Sequence, residues 1–221
     1  GWNHVGQLGL GDLVDRGVPV QVGSGYSATC AGFEHTLGLR SDGTLWAWGN
    51  NGRGQLGVGD TTSRNAPTLV GGGYAAVACG DFHSLGLLGD GALRAWGSNA
   101  SGQLGVGDTV DRLSPADAGV GYSVIAAASF SVALRTDGTL WWFGPGAGPT
   151  PVQLGTRTWV AVSAGNGSAL ALSADGSLWS WGYNGYGQLG LGEPGPRATP
   201  TLVGTGYSAM SMGASYALAL E

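Results

Sequence analysis

The sequence predicts an all-β protein built from about five repeated units of four short strands each. The first observation is a period. An aromatic residue, preceded in four of five cases by Gly-x-Gly, recurs at steps of 48, 48, 37 and 48 residues. The second is a set of Asp-Gly pairs, which favour tight hairpin turns because glycine accepts a positive φ. The third is the pattern beside those pairs, which alternates or is continuously apolar and shows no helical period.

The strands of one unit follow in a fixed order. The first strand is the apolar run after the aromatic residue, as in "YSATCAG" and "YAAVACG". The second opens nine residues after each aromatic, at His35, His83, Ser131, Ser168 and Tyr216. The third follows the Asp-Gly turn in "SDGTLWAWG", where alternate residues face opposite sides. The fourth is a weaker segment such as "PVQV" or "PTLV", whose proline suits an edge strand.

Four-stranded units repeated around an axis form a β-propeller, which leaves only short, protected edges. A linear β-solenoid is the alternative, but its rungs are usually shorter. We treat residues 1–221 as one repeat domain with approximate blades 1–49, 50–97, 98–144, 145–182 and 183–221. The last blade is expected to lack its Trp strand, because only 14 residues follow Tyr207. The chain is then either a slice of a longer array or completed by a strand from another chain.

Composition excludes some classes of partner. The chain has nine arginines, no lysine, 10% charged residues and a formal net charge of −5. Nucleic acid binding needs clustered basic side chains, and so does a polybasic membrane patch. No apolar run approaches the length that spans a bilayer. We therefore expect neither nucleic acid binding nor membrane insertion. The absence of lysine and the low charge favour a bacterial, extracellular or cell-surface protein, with a cytoplasmic location left open.

The two cysteines, Cys30 and Cys79, are too few for a disulfide framework. They stand one residue out of phase in neighbouring repeats. The expectation is that they are unpaired, buried small residues.

Three sequence motifs carry a resemblance to a known family. They are "W-G-x-N-x-x-G-Q-L-G-x-G-D", "G-x-x-H-[TS]-L" at 32–37 and 80–85, and "D-G-x-L-x-x-W-G". Together they cover nearly the whole chain, which resembles the regulator of chromosome condensation repeat family. The resemblance implies a β-propeller, seven-bladed in the usual members. It implies no single activity, because members include a nucleotide exchange factor for a small GTPase, an ultraviolet photoreceptor and a secreted bacterial inhibitor of β-lactamase.

One repeat departs from this pattern. Only 15 residues separate Gly144 from Trp159, where the other repeats have 25. The "GQLGxGD" segment is missing there, and "GPGAGPTPVQLG" stands in its place. We expect this unit to be thinner on one face.

No catalytic, metal or cofactor site is predicted. The chain has no zinc-binding spacing and no G-x-S-x-G elbow, and its glycine-rich turns are not followed by a helix. Four acid–Arg pairs at i and i+4 are expected to order the loops. The histidines His35 and His83 are expected to bond to backbone between adjacent blades. The structural residues of the repeat are His35, His83, Gln7, Gln55, Gln103, Gln188, Trp48, Trp96 and Trp181.

Comparison of the four copies of "G-x-N-x-x-G-Q" distinguishes constant positions, which are expected to be structural, from the x positions, which differ between copies. Aromatic and arginine side chains at loop tips on one face are typical of protein interfaces. The predicted partner-binding residues are Trp2, His4, Arg53, Tyr183 and Tyr186, with plain surface variation as the alternative.

The sequence therefore predicts a non-enzymatic interaction scaffold, a propeller that binds a protein partner through loops on one face. Three alternatives stay open. The first is a structural subunit of an extracellular or surface assembly, with self-association through the open blade edge. The second is a nucleotide exchange factor for a small GTPase. The third is a secreted enzyme inhibitor or glycan-binding propeller.

Overall fold

The computed structural model describes all residues 1–221 and contains 18 β-strands and no helix, which confirms the all-β prediction. The first blade consists of β1 (Tyr26–Ala31), β2 (His35–Arg40), β3 (Leu45–Gly49) and β4 (Arg64–Gly71). The second consists of β5 (Tyr74–Cys79), β6 (His83–Leu88), β7 (Leu93–Gly97) and β8 (Arg112–Asp117).

The third blade consists of β9 (Tyr122–Ala127), β10 (Ser131–Arg135), β11 (Thr139–Gly144) and β12 (Gly148–Thr158). The fourth consists of β13 (Ala161–Gly165), β14 (Ser168–Leu172), β15 (Leu178–Gly182) and β16 (Arg197–Gly204). The fifth consists of β17 (Ala209–Met212) and β18 (Ala217–Leu220) alone. All pairings within the blades are antiparallel between consecutive strands.

Each sheet in the structure begins and ends about half a repeat later in the chain than the blade limits predicted from the sequence. Those limits placed each "PTLV"-type strand in the blade that follows it. In the structure β4 pairs with the Trp strand β3 before it, and β16 pairs with β15 in the same way. The last blade therefore has two strands, and its Trp strand is missing as predicted.

The first "PVQV" segment, at residues 19–22, forms no strand. The sequence predicted an outer strand there. An outer strand needs a Trp strand to pair with, and residues 1–18 supply none. The later segments at β4 and β16, where that partner is present, form the outer strand as expected.

The core lies between successive blades rather than inside one sheet. Leu37 and Leu45 of the first blade pack with Tyr74 and Trp96 of the second. Leu56, from the loop between these blades, lies in the same cluster and is fully buried. Burying one such side chain contributes roughly 1.5–3 kcal/mol. Each blade is thus stabilised mainly by its neighbours.

The expectation of two unpaired cysteines is wrong. Cys30 of β1 and Cys79 of β5 form a disulfide between the first two blades, with their Cα atoms 5.6 Å apart. The one-residue difference in phase, taken as evidence against pairing, is what permits it. Successive side chains of a strand point to opposite faces. An offset of one residue therefore lets the two cysteines face each other across the gap between the blades.

Candidate partner-binding face

One end of every blade carries the loops that the sequence singled out. The first strand ends, the second begins and the third ends at this side, as the pairing of His35 with Gly49 shows. We call this side the loop face. It is formed by the long loops 1–12, 49–60, 97–108 and 182–193 and by the short turns 32–34, 80–82, 128–130 and 165–167.

A buried asparagine shapes each long loop. The Oδ1 atom of Asn51 accepts a hydrogen bond from the backbone N of Leu56 at 2.9 Å, and its Nδ2 donates to the carbonyl of Asp60 at 2.8 Å. The equivalent side chains are also fully buried, namely Asn3, Asn99 and Asn184. The asparagine replaces missing backbone partners, so the loop keeps one conformation.

The glutamine of the loop then fixes it to the next blade. The carbonyl of Gln55 accepts hydrogen bonds from Trp96 Nε1 at 2.9 Å and from Ser84 Oγ at 2.8 Å. The carbonyl of Gln7 accepts the equivalent bonds from Trp48 and Thr36. We call this arrangement the glutamine clamp. It explains why the sequence repeats the second tryptophan. The glutamine side chain has a separate role, because Oε1 of Gln55 accepts a hydrogen bond from the N–H of Arg53 at 2.8 Å within the loop.

The two buried histidines extend the clamp. His35 Nε2 lies 3.0 Å from Ser84 Oγ in the next blade, and His83 Nε2 lies 2.8 Å from Ser131 Oγ. Both bonds join adjacent blades, but the partner is a side-chain hydroxyl where a backbone group was expected. Since each serine donates its proton to a glutamine carbonyl, the histidine must donate from Nε2. Burial lowers the pKa of His35 to about 4 and, with the nearby His35, that of His83 to about 3.

The predicted acid–Arg pairs are all present. Asp12, Asp60 and Asp108 contact the arginine four residues later at 2.6–2.7 Å, and Glu193 contacts Arg197. The arginine hydrogen bond lowers the pKa of each of the three aspartates. These partly exposed pairs order the ends of the long loops.

The predicted partner-binding side chains are all exposed. Trp2 and Tyr186 are the most exposed of the aromatic ones, at 76% and 75%. Trp2 lies edge-on to His4, with ring centroids 6.5 Å apart, and Tyr183 lies edge-on to Tyr186 at 6.1 Å. Arg53 forms an ion pair with Asp111 of the next loop at 3.5 Å. The structure thus forms two aromatic groups on one face and does not join all five residues into one cluster.

Two functional candidates on this face escaped the sequence analysis. Phe33 and Phe82 are 70% and 41% exposed, and their rings lie 5.7 Å apart across the first two blades. Glu34, next to Phe33, contacts His4 at 3.1 Å. The same comparison of variable positions could have found both phenylalanines, had it been applied to the short turns as well as the long loops.

The short turns surround an opening of about 450 Å³ that all five blades line. Phe33, Phe82 and Asp81 lie at its wall. Burial raises the pKa of the Asp81 carboxyl. No three His, Cys, Asp or Glu side chains come together as a metal site. The structure also contains no helix that could span a membrane.

The family is established by comparison with known repeats. The model for the regulator of chromosome condensation (RCC1) repeat matches residues 42–87, 90–134 and 175–220. A second model of the same repeat matches residues 26–55, 74–103 and 159–188. The chain belongs to the RCC1 repeat family.

Parts of human proteins and of solved structures are similar to this chain in sequence or fold. The probable E3 ubiquitin-protein ligase HERC3 of Homo sapiens is 39% identical over 74 residues, which is 31% of this chain and 7% of that protein. The human WBSCR16 structure is 23% identical with a TM-score of 0.87, covering 98% of this chain and 65% of that one. Prp20p from Saccharomyces cerevisiae is 24% identical with a TM-score of 0.80, covering 90% and 57%. The chain therefore spans less than two thirds of these relatives, and the structural likeness concerns the fold.

Proposed function

We propose that this chain is a non-enzymatic interaction module that binds a protein partner through the loop face. The observation that carries the proposal is the contrast within each long loop. The asparagine, glutamine and leucine positions are largely buried and fixed by hydrogen bonds, while Trp2, Tyr183 and Tyr186 stand exposed on that frame. Rigid loops that present aromatic side chains lose little conformational entropy on binding.

The solved relative Prp20p supports a protein partner in general terms. Its structure is described together with binding properties to Gsp1p and histones, and a related structure contains Kap60 bound to yeast RCC1 (Prp20). Neither partner is assigned to this chain, whose identity to those structures is below 25%. A nucleotide-loaded small GTPase provides the direct check of the exchange-factor alternative. We expect no release of nucleotide, since the sequence shows no inserted loop that would reach a nucleotide site.

The proposal is tested by matched surface variants. One variant replaces Trp2, Tyr183 and Tyr186 by alanine, and the control replaces Val120 and Val160 by serine at the ends of the blades opposite the loop face. Both valines are exposed, at 67% and 54%. Proteins captured by the parent chain are identified by mass spectrometry. We expect a partner that is lost with the first variant and kept with the control. A partner lost equally from both, or kept by both, would refute the assignment to this face.

A structural role has one specific observation in its favour. The last strand, β18, exposes Leu218 and Leu220 by 64% and 65%, and its outer edge has no paired strand. Exposed apolar edges pair readily with a further strand. We propose that this edge takes one, from this or another polypeptide. Light scattering of the parent and of Leu218→Lys tests it: concentration-dependent dimers that the lysine abolishes support pairing between copies.

We also propose an extracellular or cell-surface location. The Cys30–Cys79 disulfide supports it, because such bonds persist in oxidising compartments and are rare in the cytosol. Mass spectrometry of the alkylated native protein tests this. Free thiols at both positions in freshly isolated material would oppose the proposal.

A further inference from the structure

The missing loop of the third unit leaves a defined gap on the loop face. It lies between the third and fourth blades, where "GPGAGPTPVQLG" replaces the usual loop. The gap has a volume of about 430 Å³. We call it the notch, and its lining includes Phe130, Trp142, Trp181, Arg197 and Ala198.

A buried donor at the notch has no protein acceptor. Trp181 is 3% exposed, yet its Nε1 has no hydrogen-bond partner. The equivalents of Trp181 in the first two blades donate to the carbonyls of Gln7 and Gln55. A buried unsatisfied donor costs roughly 1–3 kcal/mol. The notch is therefore a glutamine clamp from which the glutamine loop is missing.

The complete clamps show what such a site holds. In the clamp at the first blade the carbonyl of Gln7 accepts from Trp48, and four residues later the N–H of Gly11 donates to the carbonyl of Asn65. Gln55 and Gly59 repeat both bonds with Trp96 and Leu113. The residue after the second glutamine, Leu56, is fully buried.

The notch offers the same set of contacts. Ala198, which follows Arg197 at the start of β16, corresponds to Asn65 and Leu113 in the complete clamps, and it lines the notch. Trp181 supplies the donor at the other side. A peptide segment could fill the notch if it had a carbonyl at position i for Trp181, an apolar side chain at i+1 for the gap, and an N–H at i+4 for the carbonyl of Ala198.

We propose that the notch binds a glycine-rich turn of a protein partner, whose backbone carbonyl accepts the hydrogen bond from Trp181 and whose following apolar side chain fills the gap. The partner thereby supplies the part that this chain's own loops supply at the other junctions. The site adjoins Tyr183, but it uses none of the loop-tip side chains. If the loop-tip side chains bind no partner, the notch proposal is unaffected. If the notch binds no turn, the proposal for the loop tips is likewise unaffected.

The probe is an acetylated, amidated peptide of sequence SGQLGVGD, copied from residues 101–108. It is titrated into the ¹⁵N-labelled chain while the indole N–H resonance of Trp181 and the amide of Ala198 are followed. We expect saturable shifts of both. A peptide with leucine replaced by aspartate serves as the control ligand and should leave both signals in place.

Two variants make the test specific. Trp181→Phe removes the donor and is safe for folding, since Phe143 occupies the same place in the third blade. We expect the peptide affinity followed at Ala198 to fall about fivefold, the loss of roughly one hydrogen bond. Trp48→Phe, at a clamp already filled by Gln7, should leave the peptide affinity unchanged.

The proposal is overturned by any of three results. These are no saturable shift at millimolar peptide, equal affinity in Trp181→Phe and the parent, or equal binding of the aspartate peptide. A graft that replaces residues 145–148 by residues 98–112 restores the loop within the chain. The peptide should no longer shift Ala198 in that graft, and continued binding there would also refute the assignment.

Discussion

The junction between the first and second blades and the junction between the third and fourth differ in how they are closed. The first has a disulfide, a histidine–serine bond and a complete glutamine clamp. The second lacks the loop, and its Trp181 Nε1 is buried without a hydrogen-bond partner. Both still pack apolar side chains across the gap. At the second junction the blades are therefore held by apolar packing and by a hydrogen bond from the N–H of Gly167 to Ser129 Oγ at 3.2 Å, while the donor that a loop would satisfy is left without an acceptor.

Acid should weaken the junctions that contain a buried histidine, His35 between the first and second blades and His83 between the second and third. The folded pKa values of about 4 for His35 and about 3 for His83 lie below the ordinary 6.5, so the unfolded chain binds more protons between these values. The free energy of unfolding should fall as pH drops below 6.5, by on the order of 3 kcal/mol per histidine near pH 4. Urea unfolding between pH 7 and 4 measures this.

The matched control for the acid experiment is the double variant His35→Ser, His83→Ser. Serine occupies this position in the fourth blade, where Ser168 pairs with Gly182 as His35 pairs with Gly49. The variant should show a flatter dependence on pH. An unchanged slope would mean that other groups carry the acid sensitivity.

Removing the disulfide should weaken the junction between the first and second blades by a slightly smaller amount. The bond closes a segment with a sequence separation of 49, and releasing such a segment typically costs roughly 2–4 kcal/mol. Cys30→Ala with Cys79→Ala should therefore unfold at lower urea than the parent. Adding reductant should lower the parent's stability and leave the variant's stability unchanged. An equal response of both would show that the disulfide does not form.

Replacing a loop glycine by alanine should destabilise a complete glutamine clamp more than an incomplete one. Gly57 has φ of 73°, and a Cβ there would lie 2.7 Å from Trp96 Nε1. Gly190 has φ of 68° in the equivalent loop before the incomplete fifth blade, where a Cβ would meet only Val203 at 3.5 Å. Left-handed backbone costs alanine roughly 1–2 kcal/mol at either site. Gly57→Ala should lose more stability than Gly190→Ala in urea unfolding, and equal losses would contradict the clamp.

The smallest expected effect compares the two tryptophans. Trp96→Phe removes a hydrogen bond to Gln55, whereas Trp181→Phe removes a donor that has no acceptor. The two changes delete the same atoms from buried sites. The first should therefore cost about 1 kcal/mol more than the second. Equal costs in urea unfolding would show that Trp181 finds an acceptor in the folded protein.

Periodicity predicted the strands well, because each has a turn on both sides and a face to bury. It failed where pairing depends on distant residues. The segment 19–22 has the composition of an outer strand but no Trp strand to pair with. For the same reason the sequence could not show that β16 belongs to the fourth blade rather than the fifth.

The candidate site was predicted in part. The exposure of the loop tips could be predicted from the variable positions. The spacing between Trp2 and Tyr183 could not, because it depends on how the blades are arranged and not on local sequence. The disulfide was missed because its geometry joins two strands across a gap. The unsatisfied Trp181 was missed because the deletion lies at 145–158 while its effect falls on the following blade.

The glutamine clamp fixes where this molecule can be divided. The stretch from Gly49 to Gly97 carries a loop together with the serine and tryptophan that hold it. Duplicating or deleting that stretch keeps a loop together with the residues that bind it. A boundary at the edge of a sheet would instead separate the loop from the blade to which it is hydrogen-bonded. Tandem duplication in steps of 48 residues can thus lengthen such an array without leaving an unfastened loop.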